Sequence, residues 1–204
     1  MSKKRERIFT ILFMFAVTFV FTSAVSLAYL LTKDTIKLND AVHLRRAVLC
    51  AAGLEVPNDA KKTEELYRSR VQERKRDDGS IEYFRVVEEG AERTIGYVFI
   101  EEGAGLWGTI VAAVGFDGNL ENVTGVDFLA QNETPGLGAR ITEEWFKAQF
   151  VGKHGPFTMV PEGQPAGKTE FDAITGATIT STAVRDMLNR VVKDAPGLVA
   201  REKS

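Results

Sequence analysis

The sequence predicts an α+β domain, with an antiparallel sheet flanked by helices, preceded by one N-terminal transmembrane helix. The prediction rests on an uncharged stretch over residues 8–31 and on a series of short β-type runs between residues 81 and 129, with helical patterns on either side. Runs that follow one another with turn signals between them favour antiparallel pairing. We expect the helices at the beginning and end to cover one face of the sheet.

The N-terminal segment has the composition of a membrane anchor. Residues 1–7 hold a basic cluster, and residues 8–31 would form a helix of about 36 Å, enough to cross a hydrocarbon layer of about 30 Å. The alternative is a cleaved signal peptide with a small-x-small exit at residues 26–28, but signal h-regions of about 7–15 residues are shorter. We expect a cytoplasmic tail over 1–7, a single-pass anchor in the cytoplasmic (inner) membrane over 8–31, and the rest of the chain on the periplasmic or extracellular side.

Three small hydroxyl residues share one face of the predicted anchor. Thr18, Thr22 and Ser26 follow one another at intervals of four residues. Such a face lets another membrane helix approach closely, which predicts a docking face for a partner in the membrane. The alternative is that these hydroxyls bond carbonyl groups of their own helix.

Residues 32–80 are predicted to form a helical connector. Asn39 can cap a first helix that Gly53 ends. Asn58 or Asp59 can open a second helix, rich in charged residues, which runs to about Arg76 and stops in the turn at residues 77–79.

Residues 81–204 are predicted to form the extracytoplasmic domain. Strands are expected over residues 81–87, 94–100 and 109–116, and a hairpin signal at 117–119 leads to a strand over 120–129. Thr142 is expected to cap a short helix over 143–150. A short edge strand around 157–160 and a helix over 182–192 complete the domain.

Composition excludes several classes of function. The formal net charge of −2, with no basic stripe, argues against a nucleic-acid partner. The only cysteine, Cys50, leaves no internal disulfide and no iron–sulfur cluster held by this chain alone. His43 and His154 are far apart, and no metal site is expected. No nucleophile–histidine–acid pattern occurs, so we expect no independent catalytic site.

A glycine-rich stretch at residues 103–108 does not predict a dinucleotide site, because strands flank it and a βαβ unit is missing. The sequence leaves open whether Trp107, within this stretch, lies near a ligand or in the core.

The stretch 172–181 is the strongest candidate site. It joins Asp172, several hydroxyl residues and the small Gly176 and Ala177 directly to the last predicted helix. Free N–H groups and the helix dipole make such a turn suitable for a phosphate. Ordinary capping of a helix by Thr and Ser predicts the same residue types.

Two segments resemble the FMN-binding domain family. The residues Asp172-x-x-Thr175-Gly176-Ala177-Thr178 are similar to its flavinylation motif, and residues 133–138, Glu-Thr-Pro-Gly-Leu-Gly, are similar to a second loop of the family. The family includes the C subunit of the sodium-translocating NADH:quinone reductase (Nqr) and the G subunit of the Rnf complex. The resemblance covers most of the chain.

The resemblance implies FMN as cofactor, joined to Thr178 by a phosphoester bond that a separate flavin transferase makes from FAD. Asp172 is then a candidate to orient or accept the hydroxyl proton, or a residue that the transferase recognises. Lys153 could neutralise the phosphate or be a solvent-exposed lysine. The cofactor-binding residues implied in this way are Glu133, Thr134, Leu137, Gly138, Lys153, Asp172, Thr175, Gly176, Ala177 and Thr180.

The resemblance also implies an electron-carrier subunit of a membrane ion-translocating oxidoreductase, with other membrane subunits as partners. The short chain favours the G subunit of the Rnf ferredoxin:NAD oxidoreductase. Residues 105–107 and 145–153 favour the C subunit of Nqr. A stand-alone extracytoplasmic flavoprotein and a membrane-anchored binding module without cofactor are further alternatives. The pumped ion, the electron donor and acceptor and the flavin potential stay open.

Overall fold

The computed structural model of the chain describes residues 3–164 and 167–202. Contacts within the chain divide it into two compact units between Ala41 and Val42. The second unit contains the sheet and every described element after the first helix.

The first element is one uninterrupted helix, α1 (Lys3–Ala51). Its most apolar section has a mean hydropathy of 2.3 and is not buried, so by length and composition this helix could cross a membrane. The predicted separate helix beginning at Asn39 is wrong, because Asn39 lies inside α1. No glycine or proline precedes Gly53, and an asparagine within a helix costs only about 0.7 kcal/mol.

The hydroxyl stripe of Thr18, Thr22 and Ser26 lies on α1, where all three residues are exposed. The hydroxyls of Thr10 and Thr32 bond carbonyl groups of the preceding turn at 3.0 and 2.9 Å. Within residues 3–164 and 167–202, the three stripe hydroxyls have no such bond. The docking face for a membrane partner stays a prediction.

α1 ends at Gly53, as predicted. Gly53 has a φ of +72°, and its N–H donates to the Cys50 carbonyl at 3.0 Å. The Leu54 N–H donates to the Leu49 carbonyl at 3.1 Å, which completes a Schellman cap. The left-handed conformation is the reason that a glycine stands at this position.

The predicted second helix is shorter than expected. Asp59 caps α2 (Ala60–Arg70) by accepting the N–H groups of Lys61 and Lys62 at 2.9 and 3.0 Å. The extension to Arg76 is wrong, because β1 (Val71–Lys75) begins directly after the helix. Only the first residue of β1 is buried, and charged residues on an edge strand discourage pairing with another chain. An exposed helix and an exposed edge strand therefore have similar compositions.

Five strands form one antiparallel sheet in chain order, so the predicted sheet is confirmed. The Asp117 carboxylate accepts the N–H groups of Glu121 and Asn122, which delays the last strand by three residues relative to the predicted start at Leu120. The strands after β1 are β2 (Ile81–Val87), β3 (Thr94–Ala104), β4 (Thr109–Asp117) and β5 (Val123–Ala130).

Helices cover both faces of the sheet, which corrects the expectation that they cover one. Along β3, Tyr97 and Phe99 pack in a cluster with the C-terminal helix, whereas Val98 packs with the end of α1 and with α2. Side chains alternate between faces along a strand, so long strands with apolar residues on both sides need a covering layer on each.

The remaining elements surround the beginning of the last helix. The predicted Thr142 cap is wrong: Thr142 ends a short 3₁₀ helix, and its hydroxyl donates to the Ala139 carbonyl. The predicted strand near residues 157–160 is present and pairs in parallel with a strand that the sequence did not predict. These elements are the 3₁₀ helix Gly138–Thr142, α3 (Glu144–Ala148), β6 (Thr158–Val160), β7 (Glu170–Asp172) and α4 (Thr178–Glu202).

Candidate functional site

A pocket of about 280 Å³ lies at the start of α4. It is formed where the 133–138 loop, the 172–178 loop and the tip of the β3–β4 hairpin meet. Two segments that stand about forty residues apart in the sequence thus share one site. The pocket is lined by Leu106, Glu133, Thr134, Leu137, Gly138, Gly176, Ala177, Thr178, Ile179 and Thr180.

The first turn of α4 presents unpaired donors. Its first helical bond runs from the Ser181 N–H to the Ala177 carbonyl at 3.0 Å. For the N–H groups of Thr178, Ile179 and Thr180, no acceptor is found in the described part of the chain. Thr178 itself is exposed. Three N–H groups and the positive end of the helix dipole therefore surround a hydroxyl that a second molecule can reach.

The 172–177 loop is held firmly up to this point. The Ile174 N–H donates to the hydroxyl of the fully buried Ser181 at 3.0 Å, and the Ala177 N–H donates to the Ile174 carbonyl at 3.0 Å. Gly176 has a φ of +78°, a conformation that favours glycine. The loop therefore fixes the position from which α4 begins.

A tight turn shapes the 133–138 loop. The N–H groups of Leu137 and Ala139 both donate to the Thr134 carbonyl at 3.1 Å, and Gly136 has a φ of +75°. The turn projects Leu137 outward, and a Cβ at Gly176 would lie only 3.2 Å from the Leu137 side chain. The two motif loops are therefore in direct contact at the pocket.

Glu133 connects the surrounding elements from inside the pocket wall. Its carboxylate accepts hydrogen bonds from the backbone N–H of Trp107, at 3.0 Å, and from the hydroxyl of the buried Thr180. Glu133 is only 5% exposed, and both oxygens have a donor. A Cβ at Gly105 or Gly138 would lie 2.5 or 2.8 Å from these oxygens. The two glycines leave the space that this carboxylate occupies.

Apolar side chains surround the mouth of the pocket. Leu106, Leu137 and Ile179 line it and are 52%, 42% and 55% exposed. Trp107 at the hairpin tip is 67% exposed and does not line the pocket, which rules out the core position that the sequence left open. The surface around Thr178 therefore offers apolar contacts to an aromatic ring.

Eight of the implied cofactor-site residues, Thr178 among them, meet at the pocket, whereas Lys153, Asp172 and Thr175 do not line it. The Lys153 ammonium donates to the Glu170 carbonyl at 2.6 Å. The Asp172 carboxylate accepts the Gly163 N–H at 2.9 Å.

The structure adds Leu106 and Ile179 to the pocket. The sequence gives only a weak indication of either residue. Leu106 is an apolar residue beside a glycine turn, and Ile179 is an apolar residue at an exposed position in the first turn of α4. The role of every one of these residues toward a flavin stays a prediction.

Comparison with known proteins decides the family. The sequence profile of the FMN-binding domain matches residues 105–193. The G subunit of the ion-translocating oxidoreductase complex of Methanosarcina acetivorans is 30% identical over 194 residues, which cover 94% of this chain and 96% of that one. The chain belongs to the FMN-binding domain family. The matched region contains both motif loops and most of α4.

Other relatives of the chain match over shorter regions. The C subunit of the Na⁺-translocating NADH-quinone reductase of Vibrio anguillarum is 38% identical over 91 residues, 41% of this chain and 36% of that one. The G subunit of the Na⁺-translocating ferredoxin:NAD⁺ oxidoreductase complex of Acetobacterium woodii is 40% identical over 73 residues, 35% of each chain.

Two of the solved structures that match the chain illustrate the shared fold. The crystal structure of the C subunit of the Na⁺-translocating NADH-quinone reductase from Parabacteroides distasonis has a TM-score of 0.64 at 25% identity and covers 81% of this chain and 96% of that one. NqrC of Shewanella oneidensis has a TM-score of 0.67 at 18% identity, with 79% and 97% covered, which supports the fold alone.

The pocket fits the phosphate end and part of the ring of an FMN. The unpaired N–H groups of α4 suit a phosphate, and the apolar mouth suits the ring. No lysine or arginine lines the pocket in the described part of the chain, so the helix terminus has to supply the positive potential. Both oxygens of the Glu133 carboxyl group are occupied by hydrogen-bond donors of the protein.

Proposed function

We propose that this chain is an FMN-carrying electron-transfer subunit of a membrane ion-translocating oxidoreductase complex, corresponding to the G subunit of Rnf, with FMN esterified to Thr178. One observation carries the proposal. Thr178 is the exposed first residue of α4, in a pocket formed by both motif loops, and its own N–H and those of Ile179 and Thr180 have no acceptor among the described residues.

The extent of the match favours a G subunit over a C subunit. The Methanosarcina G subunit aligns along nearly the whole chain, whereas the Vibrio C subunit aligns over 41% of it. The C subunit of Nqr remains the second candidate, because the Vibrio C subunit is 38% identical over the region that it matches.

The proposed attachment uses the geometry of Thr178. Its hydroxyl oxygen takes the FMN phosphoryl group from FAD, the phosphoanhydride bond breaks, and AMP leaves while the hydroxyl proton passes to a base of the flavin transferase. A metal ion supplied by the transferase would stabilise the charge on the phosphate. The exposure of Thr178 supports this step, since a second protein has to reach the hydroxyl.

The residues of the pocket would then hold and shield the group. The N–H groups of Thr178, Ile179 and Thr180 would bind the phosphate oxygens, and the helix terminus would then be their counter-charge. Leu106 and Leu137 would exclude water from part of the ring. When bound, FMN supplies electron transfer that no side chain of this chain can perform. A pocket of about 280 Å³ leaves part of such a group exposed, which suits exchange of electrons with a partner.

The long helix α1 is proposed as the membrane anchor. Its basic beginning, with Lys3, Arg5 and Arg7, favours a cytoplasmic N-terminus, which would leave the FMN domain on the outer side of the cytoplasmic membrane. Covalent attachment would keep the cofactor from being lost there. The proposed partners are the other membrane subunits of the complex and, during maturation, the flavin transferase.

The test is covalent flavin at Thr178. The full chain is produced together with a FAD-dependent flavin transferase, unfolded and separated on a denaturing gel. We expect flavin fluorescence in the protein band and the mass of an FMN ester on the peptide that contains Thr178. Thr178→Ala should lose both signals, whereas Thr182→Ala, one turn further along α4, should keep them. A wild-type band without flavin would contradict the proposal.

A further inference from the structure

Residues 162–163, which follow β6, are joined to the 172–178 loop by two hydrogen bonds that run in opposite directions. The Glu162 carboxylate accepts the Thr175 N–H at 2.8 Å. In return, the Gly163 N–H donates to the Asp172 carboxylate at 2.9 Å. We call these four residues the clasp. Two of its members, Asp172 and Thr175, belong to the flavinylation motif, and the other two were not singled out by the sequence.

Arg140 connects the clasp to the second motif loop. Its guanidinium donates to the second oxygen of Glu162 at 3.0 Å. Arg140 lies in the 3₁₀ helix that directly follows the 133–138 loop, and its guanidinium is 5.0 Å from the centre of the Trp145 ring. The position of Glu162 is therefore set by groups on both sides of the pocket.

The charge of Glu162 is maintained by these contacts. The N–H of Thr175, and then the Arg140 guanidinium, lower the pKa of the Glu162 carboxyl from 4.5 to about 2. The carboxylate is ionised at every pH near neutrality, so both of its bonds are charge-assisted.

The clasp fixes the backbone three residues before Thr178. The N–H groups of Asp172, Ala173 and Ile174 each have an acceptor, and Thr175 has Glu162. Beyond the clasp, the Ala177 N–H donates to the Ile174 carbonyl at 3.0 Å, whereas the N–H groups of Gly176 and Thr178 have no acceptor among the described residues. Glu162 is therefore one of the groups that hold the backbone leading to Thr178, together with Ser181 and the Ile174 carbonyl.

We propose that Glu162 is a positioning residue for flavinylation: it holds residues 172–175 in the conformation in which the transferase meets Thr178. Asp172 acts through the Gly163 N–H as part of the same clasp rather than as a base for the Thr178 hydroxyl. The inference rests on the proposed attachment of FMN to Thr178. A loop that is held only part of the time lowers the apparent affinity of its partner by that fraction.

The test measures the initial rate of flavin transfer to the full chain in detergent, with a purified transferase, FAD and Mg²⁺. Glu162→Ala should lower kcat/KM for the chain about tenfold or more, the factor that corresponds to one hydrogen bond to a charged group. The loss should lie mainly in KM, because a saturating transferase can hold the loop itself. Glu162→Gln, which keeps one acceptor oxygen but loses the ion pair, should fall between Glu162→Ala and the wild type.

Glu170→Ala is the matched control. The Glu170 carboxylate accepts the Gly167 N–H within its own turn, at 2.9 Å, and its removal should leave kcat/KM unchanged. Amide hydrogen exchange supplies a readout that needs no flavin: exchange at Thr175 should become about tenfold faster in Glu162→Ala and stay unchanged in Glu170→Ala. Both variants should keep a single cooperative urea transition, which shows that the domain is folded in each. Should Glu162→Ala fail to fold, Glu162→Gln carries both measurements.

The failures are distinguishable. If wild-type protein is modified and both Glu162 variants are modified at its rate, the positioning role is overturned while the proposed function stands. If the exchange rate of the Thr175 N–H is unchanged in Glu162→Ala, Glu162 does not hold the loop, and the clasp is contradicted. If the wild type accepts no FMN, the proposed function fails, and the role of Glu162 in flavinylation fails with it.

Discussion

At the scale of single residues, Glu133 shows how this site is assembled. Each oxygen of this buried carboxyl group accepts one hydrogen bond, from the Trp107 backbone N–H or the Thr180 hydroxyl, so neither oxygen is buried without a partner. The carboxylate thereby joins the hairpin tip to α4. Its burial depends on the missing side chains at Gly105 and Gly138, where a Cβ would meet the carboxylate.

Gly138→Ala tests this dependence. A Cβ there would lie 2.6 Å from the Thr180 hydroxyl and 2.8 Å from Glu133, so we expect a loss of about 1–3 kcal/mol in the free energy of unfolding and reduced FMN incorporation. Gly136→Ala is the control on the same loop: a Cβ there meets nothing within 4 Å, and its φ of +75° costs about 1 kcal/mol. Urea unfolding and gel fluorescence measure both effects. Full FMN incorporation by Gly138→Ala would contradict the role given to Glu133.

At the scale of elements, two packed layers position α4 over one face of the sheet and the end of α1 over the other. The end of α1 approaches the sheet closely, because Gly115 and Gly125 have no side chains that would keep the Ala51 carbonyl away from the strands. The Thr124 hydroxyl donates to that carbonyl at 2.7 Å. The end of α1 is thus part of the domain core as well as the end of the long helix.

Gly115→Ala tests the docking of α1 on the sheet. A Cβ at Gly115 would overlap the Ala51 carbonyl, and backbone cannot move aside as a flexible side chain can. We expect a loss of about 3 kcal/mol or more in the free energy of unfolding. Gly118→Ala, where a Cβ makes only an ordinary contact of 3.4 Å, should change it by about 0.5 kcal/mol or less. Urea unfolding of the full chain measures both effects. Equal losses in the two variants would contradict the close packing of α1 against Gly115.

At the scale of the whole molecule, the chain combines one long apolar helix with one FMN-binding domain. The proposed arrangement keeps a redox group tethered to a membrane complex, so that electron exchange with neighbouring subunits does not depend on diffusion. The arrangement requires the basic beginning of α1 to stay in the cytoplasm.

Reporter fusions test this orientation. Alkaline phosphatase, which is active only outside the cytoplasm, should be active when fused after the C-terminus, whereas a green fluorescent protein fused there by the same export route should be dark. Replacement of Lys3, Lys4, Arg5 and Arg7 by Gln should reduce the phosphatase activity, because these charges direct the orientation. A fluorescent green fluorescent protein fusion and an inactive phosphatase fusion of the unchanged chain would contradict the proposed topology.

The sequence by itself determined the uncharged stretch of α1, four of the five strands of the main sheet and the two loops that line the pocket. These features follow from local rules, namely an unbroken apolar run, alternating strands with turns between them, and turn residues such as Gly136 and Gly176.

Only the tertiary structure decided how these parts act on one another. It placed helices on both faces of the sheet, made residues 71–75 a strand, and turned Lys153, Asp172 and Thr175 toward partners outside the pocket. The physical reason is that such contacts join residues far apart in the chain. Whether a charged segment is helix or edge strand, and whether a carboxylate holds a loop or lines a pocket, depends on which neighbours folding brings to it.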